Sequence, residues 1–306
     1  MNSVILMALL CLRMAACASP HESSESKRER SIEEAAASLE GKSDADSLAA
    51  AALLLQRDPA RTLELLARAT TLAPQRPDLA WLHTQACGKV SGCDSQAEAE
   101  RLRILDPGNG AAWLPAVAVA EKAHDDAMQL SALSALARAD HVDLYWTTLI
   151  VHLTRAVIAT GDISSRDALT EMIGVLAVAT IPAYRTVSQL CSGTRLDDRA
   201  TLEDCRAAAW ALQRGDTVIT EMEGAHIAQR LWSEDSPQWL AASEARHTYE
   251  YRAAQLAHSS HNAFADNRVA DDFLALCAHN HREQDVWIAE LVADGKRPLP
   301  PAIGAP

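Results

Sequence analysis

Leu72-Ala73-Pro74 is followed by Ala80-Trp81-Leu82, and the phrase returns as Leu105-Asp106-Pro107 with Ala112-Trp113-Leu114. Trp146 extends the series, so Trp81, Trp113 and Trp146 stand 32 and 33 residues apart. A period in the low thirties marks stacked helical hairpins, which bury their apolar faces only against their neighbours. The stretch predicts an all-α chain: hairpin repeats over residues 46–179, continuing into an irregular helical bundle over 180–294.

Composition agrees. The 306 residues are 48% hydrophobic with only 4% aromatic, and no alternating strand pattern with turn punctuation occurs. A formal charge of -13 excludes a phosphate-binding surface of clustered cations, hence a nucleic-acid partner. It disfavours adsorption to an anionic membrane in the same way.

Turn signals divide the repeat region. Ser47 to Gln56 and Ala60 to Leu72 read as the first hairpin, with Asp58-Pro59 as turn and helix start. Leu63, Leu66, Ala67 and Thr70 recur at three and four, the spacing of one buried face. Leu79 to Ala86 pairs with Ser95 to Leu105, and Ala111 to Ala123 with Ala127 to Ala139. A fourth unit starts near Val142 and runs to Thr160, where Gly161 stops it; its His152 and Arg155 argue against a membrane span. Beyond Ile181 the tryptophan ruler fails, but helices are expected over Pro182–Cys191, Arg199–Gln213, Asp216–Leu231, Pro237–His258, Asp266–Ala278 and Glu283–Ala293. Residues 295–306, rich in proline, read as a disordered tail.

On the Leu-x-Pro that closes one hairpin and the Ala-Trp that opens the next, the chain resembles the tetratricopeptide repeat. The family's Gly four residues after Trp is replaced by Gln85, Val117 or Ile150, and its Tyr seven after by Gly88, Ala120 or Leu153. The resemblance implies a right-handed stack with a concave face that binds a peptide or partner protein, with Trp81, Trp113 and Trp146 as repeat-packing residues.

At the N-terminus an apolar run, Val4 to Leu12, precedes Met14-Ala15-Ala16-Cys17-Ala18. The run is too short to cross a bilayer and reads as a signal segment over residues 1–18. Two processing routes fit: a lipobox in which Cys17 carries the lipid, or small-x-small cleavage at Ala16-Cys17-Ala18; an unprocessed cytosolic terminus is the third reading. Residues 19–45, mostly Ser, Glu, Lys and Arg, read as a flexible charged tether. Export places the chain in the periplasm or cell envelope, as an outer-membrane lipoprotein if Cys17 is lipidated, with membrane contact only through that lipid and a protein or peptide of the envelope as partner.

Cysteine spacing is in keeping with export. Cys87 and Cys93 flank the turn Gly88–Gly92, and Cys191 and Cys205 flank the loop Ser192–Asp198; a bond in each would staple a helix pair. Buried free thiols are the alternative for both pairs. Cys277, beside Phe273, Leu274 and Leu276, reads as an inert core thiol.

Two constellations suggest chemistry. His258, His261, Cys277, His279 and His281 supply ligand types for zinc or copper, and define the alternative function of a helical metal-binding protein or metalloenzyme. Their crowding at a helix end also has a simpler explanation, because the helix dipole favours histidine there. Glu121/His124, Glu223/His226 and Glu244/His247 share the Glu-x-x-His spacing of carboxylate-bridged metal bundles. Neither pattern matches an established ligand motif, so no metal and no cofactor is assigned. Ser24-x-x-Lys27 matches a nucleophile motif but falls in the tether. With no phosphate loop, nucleophile elbow or His-Glu-x-x-His, nothing names a catalytic residue.

If Cys17 carries a lipid, Cys17→Ser moves the protein from the membrane pellet to the soluble fraction on cell fractionation; an unchanged distribution rules lipidation out.

Overall fold

The computed structural model describes residues 24–179, 184–258 and 266–300, and every regular element in them is a helix. In chain order these are α1 (Ser24–Glu40), α2 (Ala45–Leu54), α3 (Pro59–Leu72), α4 (Pro77–Cys87), α5 (Ser95–Leu105), α6 (Leu114–Ala123), α7 (Asp126–Ala137) and α8 (Trp146–Ile158). They continue as α9 (Ser165–Ala179), α10 (Tyr184–Leu190), α11 (Arg199–Gln213), α12 (Val218–Leu231), α13 (Pro237–Ala257), α14 (Asn267–His279) and α15 (Glu283–Ala293).

Local chemistry sets most of the boundaries. The side chains of Asp44, Asp58, Asp94, Asp125 and Asp198 accept backbone N–H groups of the first turns of α2, α3, α5, α7 and α11. Thr217, Ser236 and Asp266 do the same for α12, α13 and α14. Each cap satisfies a donor that the helix cannot. Pro59, Pro77 and Pro237 occupy first-turn positions that need no N–H.

From α2 to α7 each helix packs on the next, as the period requires. The fourth unit then departs from the stack. Helix α8 packs on α2, not on α7, and α11 takes the place beside α7. Helix contacts run from α2 through α7 to α11, α12, α13, α15, α14 and α8, and return to α2. They form a closed circuit. Along it, Gly224 admits the closest crossing, because a Cβ there would stand 2.5 Å from the Gln213 nitrogen of α11.

Helix α2 is the hub of the first half. Ser47 to Leu53 are buried without a break, and Ala49 to Ala52 are small enough for α1, α3, α8 and α9 to approach from different sides. The face of α3 is rotated from the expected one: Leu66 and Thr70 are buried, but with Thr62, Leu65 and Ala69, because α2 and α4 both press on that side.

Two later helices pack back onto this series. Helix α9 packs on α2 and α4, and α10 on α6. By length and composition the stretch Ser165–Leu190 could cross a membrane, but half of it is buried in the protein.

Both ends of the described chain depart from expectation. Residues 24–40 form one helix, longer than the short one that Ile32 to Leu39 suggests within the tether, because Ala35, Ala36 and Leu39 bury against the hub. Ion pairs Arg28–Glu171 at 2.7 Å and Glu40–Arg61 at 3.0 Å flank that contact. Residues 296–300 are docked: Lys296 Nζ donates to the Gln255 and His258 carbonyls at the end of α13, and Arg252 Nε to the Pro298 carbonyl. The signal segment with Cys17 lies outside the described residues.

The three tryptophans have unlike surroundings. Trp81 is fully buried and its indole N–H has no acceptor among the described residues. Trp113 is half-buried under the Arg103 guanidinium, 4.5 Å from the ring centre. Trp146 begins α8 at the junction described below. Both cysteine pairs are joined, Cys87 to Cys93 and Cys191 to Cys205, with Cα separations of 5.4 and 5.5 Å.

Trp81→Ala is expected to cost about 3–5 kcal/mol in urea unfolding through the cavity it leaves, and Trp113→Ala less, about 1–2 kcal/mol, through partial packing and the Arg103 cation–π contact. Equal losses would contradict this division.

Candidate functional site

The turns before α8, α12 and α15 meet on Asp216. Its Oδ1 accepts the Leu144 N–H at 2.8 Å and its Oδ2 the Trp146 N–H at 3.2 Å. Its own N–H donates to the Val142 carbonyl, and its carbonyl accepts the Glu283 N–H at 2.8 Å. One residue thus fastens three loops that are far apart in sequence.

Asp216 is buried, and the Asp143 carboxyl is hydrogen-bonded to it. Burial, then the neighbouring Asp143 charge and that hydrogen bond, push the Asp216 carboxyl well above the usual carboxylate range. Two carboxyls this close cannot both ionise cheaply, so the contact favours the protonated form of Asp216. Asp143 Oδ1 also accepts the Tyr145 N–H at 2.6 Å, which helps hold Tyr145 at a left-handed φ of 60°. Asn109 Nδ2 donates to the Asp143 carbonyl and the Tyr145 hydroxyl, and that hydroxyl donates to Asp106 at 2.7 Å. This backbone bend is why α8 starts at Trp146 and not at Val142.

Beside the knot is a pocket of about 480 Å³ between α8, α9, α12, α13 and α15. Trp146, Ile173, Ile219, Met222, Tyr249 and Trp287 form its walls. Tyr249 and Trp287 stack with ring centres 5.8 Å apart, and Ile219 is 47% exposed at the mouth. Glu283 is the one charged side chain among the described residues that line it. Its Oε2 accepts the Val218 N–H at 2.8 Å. Oε1 accepts no hydrogen bond among the described residues. Burial pushes the Glu283 carboxyl up to about 7, against the lowering effect of the Val218 hydrogen bond.

The residues singled out in the sequence do not gather here. Trp146 alone of them lines the pocket. His279 Nδ1 faces the Ala275 carbonyl at 2.6 Å, and His281 is exposed. His258 follows the end of α13, and His261 lies outside the described residues. Burial, then Glu290 and Glu283, push the Cys277 thiol up to about 12, away from the thiolate that a metal needs. Among the described residues no three His, Cys, Asp or Glu converge as metal ligands.

The Glu-x-x-His pairs are likewise separate. His124 leaves its helix at a φ of 53° while Glu121 accepts from Thr186 at 2.5 Å; His226, Glu244 and His247 are exposed. The side chains of Ser24 and Lys27 lie outside those described. No protein-family model, curated protein or solved structure matches the chain.

Asp216 and Glu283 were visible only as boundary residues, the first after Gly215 and the second opening the last helix. The missing signal is distance: residues 143, 216 and 283 meet only once the circuit closes.

A raised carboxyl pKa means that the folded state binds the proton more tightly than the unfolded chain. The Glu283 contribution is therefore fully present below about pH 4 and lost as pH rises through about 7. Glu283→Gln is expected to flatten the fall in stability between about pH 5 and pH 8 by up to ~3 kcal/mol. Urea midpoints at those two pH values test this, and an unchanged difference between them would refute it.

Proposed function

We propose that this chain is an exported helical-array protein that acts by binding, and that it takes its ligand in the pocket between α8 and α15. The observation that carries the reading is the pocket itself: apolar and aromatic walls around one carboxyl with an open oxygen. Such concave apolar sites with few polar groups are the general form of small-ligand sites. Kinship with the tetratricopeptide arrangement enters as part of this proposal, supported by the hairpin order from α2 to α7.

The resemblance had pointed to an envelope protein or peptide lying on the concave face. Helix α9 packs on α2 and α4, and α10 on α6, so the proposal moves binding to the pocket and keeps the envelope as the setting. Two joined cysteine pairs support an oxidising compartment. Attachment through Cys17 remains part of the same reading.

Titration with neutral 1-aminoanthracene, followed by its fluorescence, should show saturable one-to-one binding. Met222→Trp, which fills the pocket, should abolish that binding while leaving the unfolding midpoint within about 1 kcal/mol of the parent. Absence of saturable binding, or binding unaffected by Met222→Trp in a folded variant, would overturn the proposal.

A further inference from the structure

Resting on the pocket proposed above, we infer that its ligand class is a flat aromatic or amphipathic cation: an apolar body held among Trp146, Met222 and Trp287, with a protonated nitrogen directed at Glu283. Three features of the site select this chemistry.

The first is the charge of the lining. Glu283 stands alone as a charged group, and no lysine, arginine or histidine lines the pocket among the described residues. The nearby arginines are engaged elsewhere: Arg252 Nε donates to the Pro298 carbonyl, and Arg282 Nε to the Gly215 carbonyl. An anionic ligand would meet a carboxylate with no cation to offset it, whereas a cationic one supplies the missing partner.

The second is the state of the carboxyl. One oxygen accepts the Val218 N–H, and the other accepts no hydrogen bond among the described residues. A bound N–H donor would complete its hydrogen bonding and restore its charge in a site where burial opposes ionisation. A neutral apolar ligand would cover that oxygen without satisfying it, at a desolvation cost.

The third is the aromatic wall. The faces of tryptophan and tyrosine carry negative potential that attracts a cation and repels an anion. Trp146 and the Tyr249–Trp287 stack lie in the same pocket as the carboxylate, so both attractions act on one ligand. The net charge of -13 adds long-range attraction for a cation.

One tricyclic core carried in three charge states tests the inference at pH 8: 9-aminoacridine as the cation, 9-anthracenemethanol as the neutral analogue and anthracene-9-carboxylate as the anion, each titrated calorimetrically. The expected order is cation, neutral, anion, with the cation at least about tenfold tighter than the neutral probe. Glu283→Gln should remove that preference while leaving neutral binding within about twofold, and Trp287→Ala should weaken all three. If the neutral or anionic probe binds as tightly as the cation to the parent protein, or Glu283→Gln leaves the preference intact, the ligand class is wrong although the pocket stands. If none of the three binds, the pocket reading and the ligand class fall together.

Discussion

The buried carboxyl of Asp216 is the constraint on which the closed arrangement depends. Backbone N–H groups at loop ends must be satisfied when they are buried, and Leu144 and Trp146 have no helical partner for theirs. Asp216 accepts both and bonds to Val142 and Glu283 through its own backbone. The array could have continued α7 with α8. It folds back because this knot positions the start of α8 beside the α11–α12 turn and the opening of α15. Removing the carboxyl would orphan two buried donors at once, and each such loss costs about 1–3 kcal/mol.

That fastening also makes the pocket. Trp146 follows the N–H held by Asp216, Val218 and Ile219 follow the Asp216 turn, and Glu283 with Trp287 follow the carbonyl contact. Structural and functional roles are therefore adjacent but distinct. Asp216 is inside and hydrogen-bonded through both carboxylate oxygens; Glu283 lines the pocket wall, with one oxygen bonded to the Val218 N–H. Burial raises both carboxyls, but only one of them can meet a ligand.

The same geometry brings two later helices back onto the series from α2 to α7. A stack that ended openly would leave the small-residue faces of α2 and α4 in water, at about 25 cal/mol for each Å² of apolar surface. Helices α9 and α10 cover them with residues of the same chain, including Leu169, Met172 and Leu176.

The amino-acid sequence by itself determined the helices, most of their limits and the order of packing from α2 to α7, and it suggested the two cysteine pairs. These follow from caps, prolines, periodicity and short loops, which act over a few residues and leave a local trace. Tertiary structure alone decided that α8 returns to α2, that residues 24–40 join the fold, that Trp81, Trp113 and Trp146 are not equivalent, and that Glu283 faces an aromatic pocket. The physical reason is range. The contacts that decide these points join residues such as Asp143, Asp216 and Glu283, and a period or a cap carries no information about which distant loop will satisfy a buried N–H.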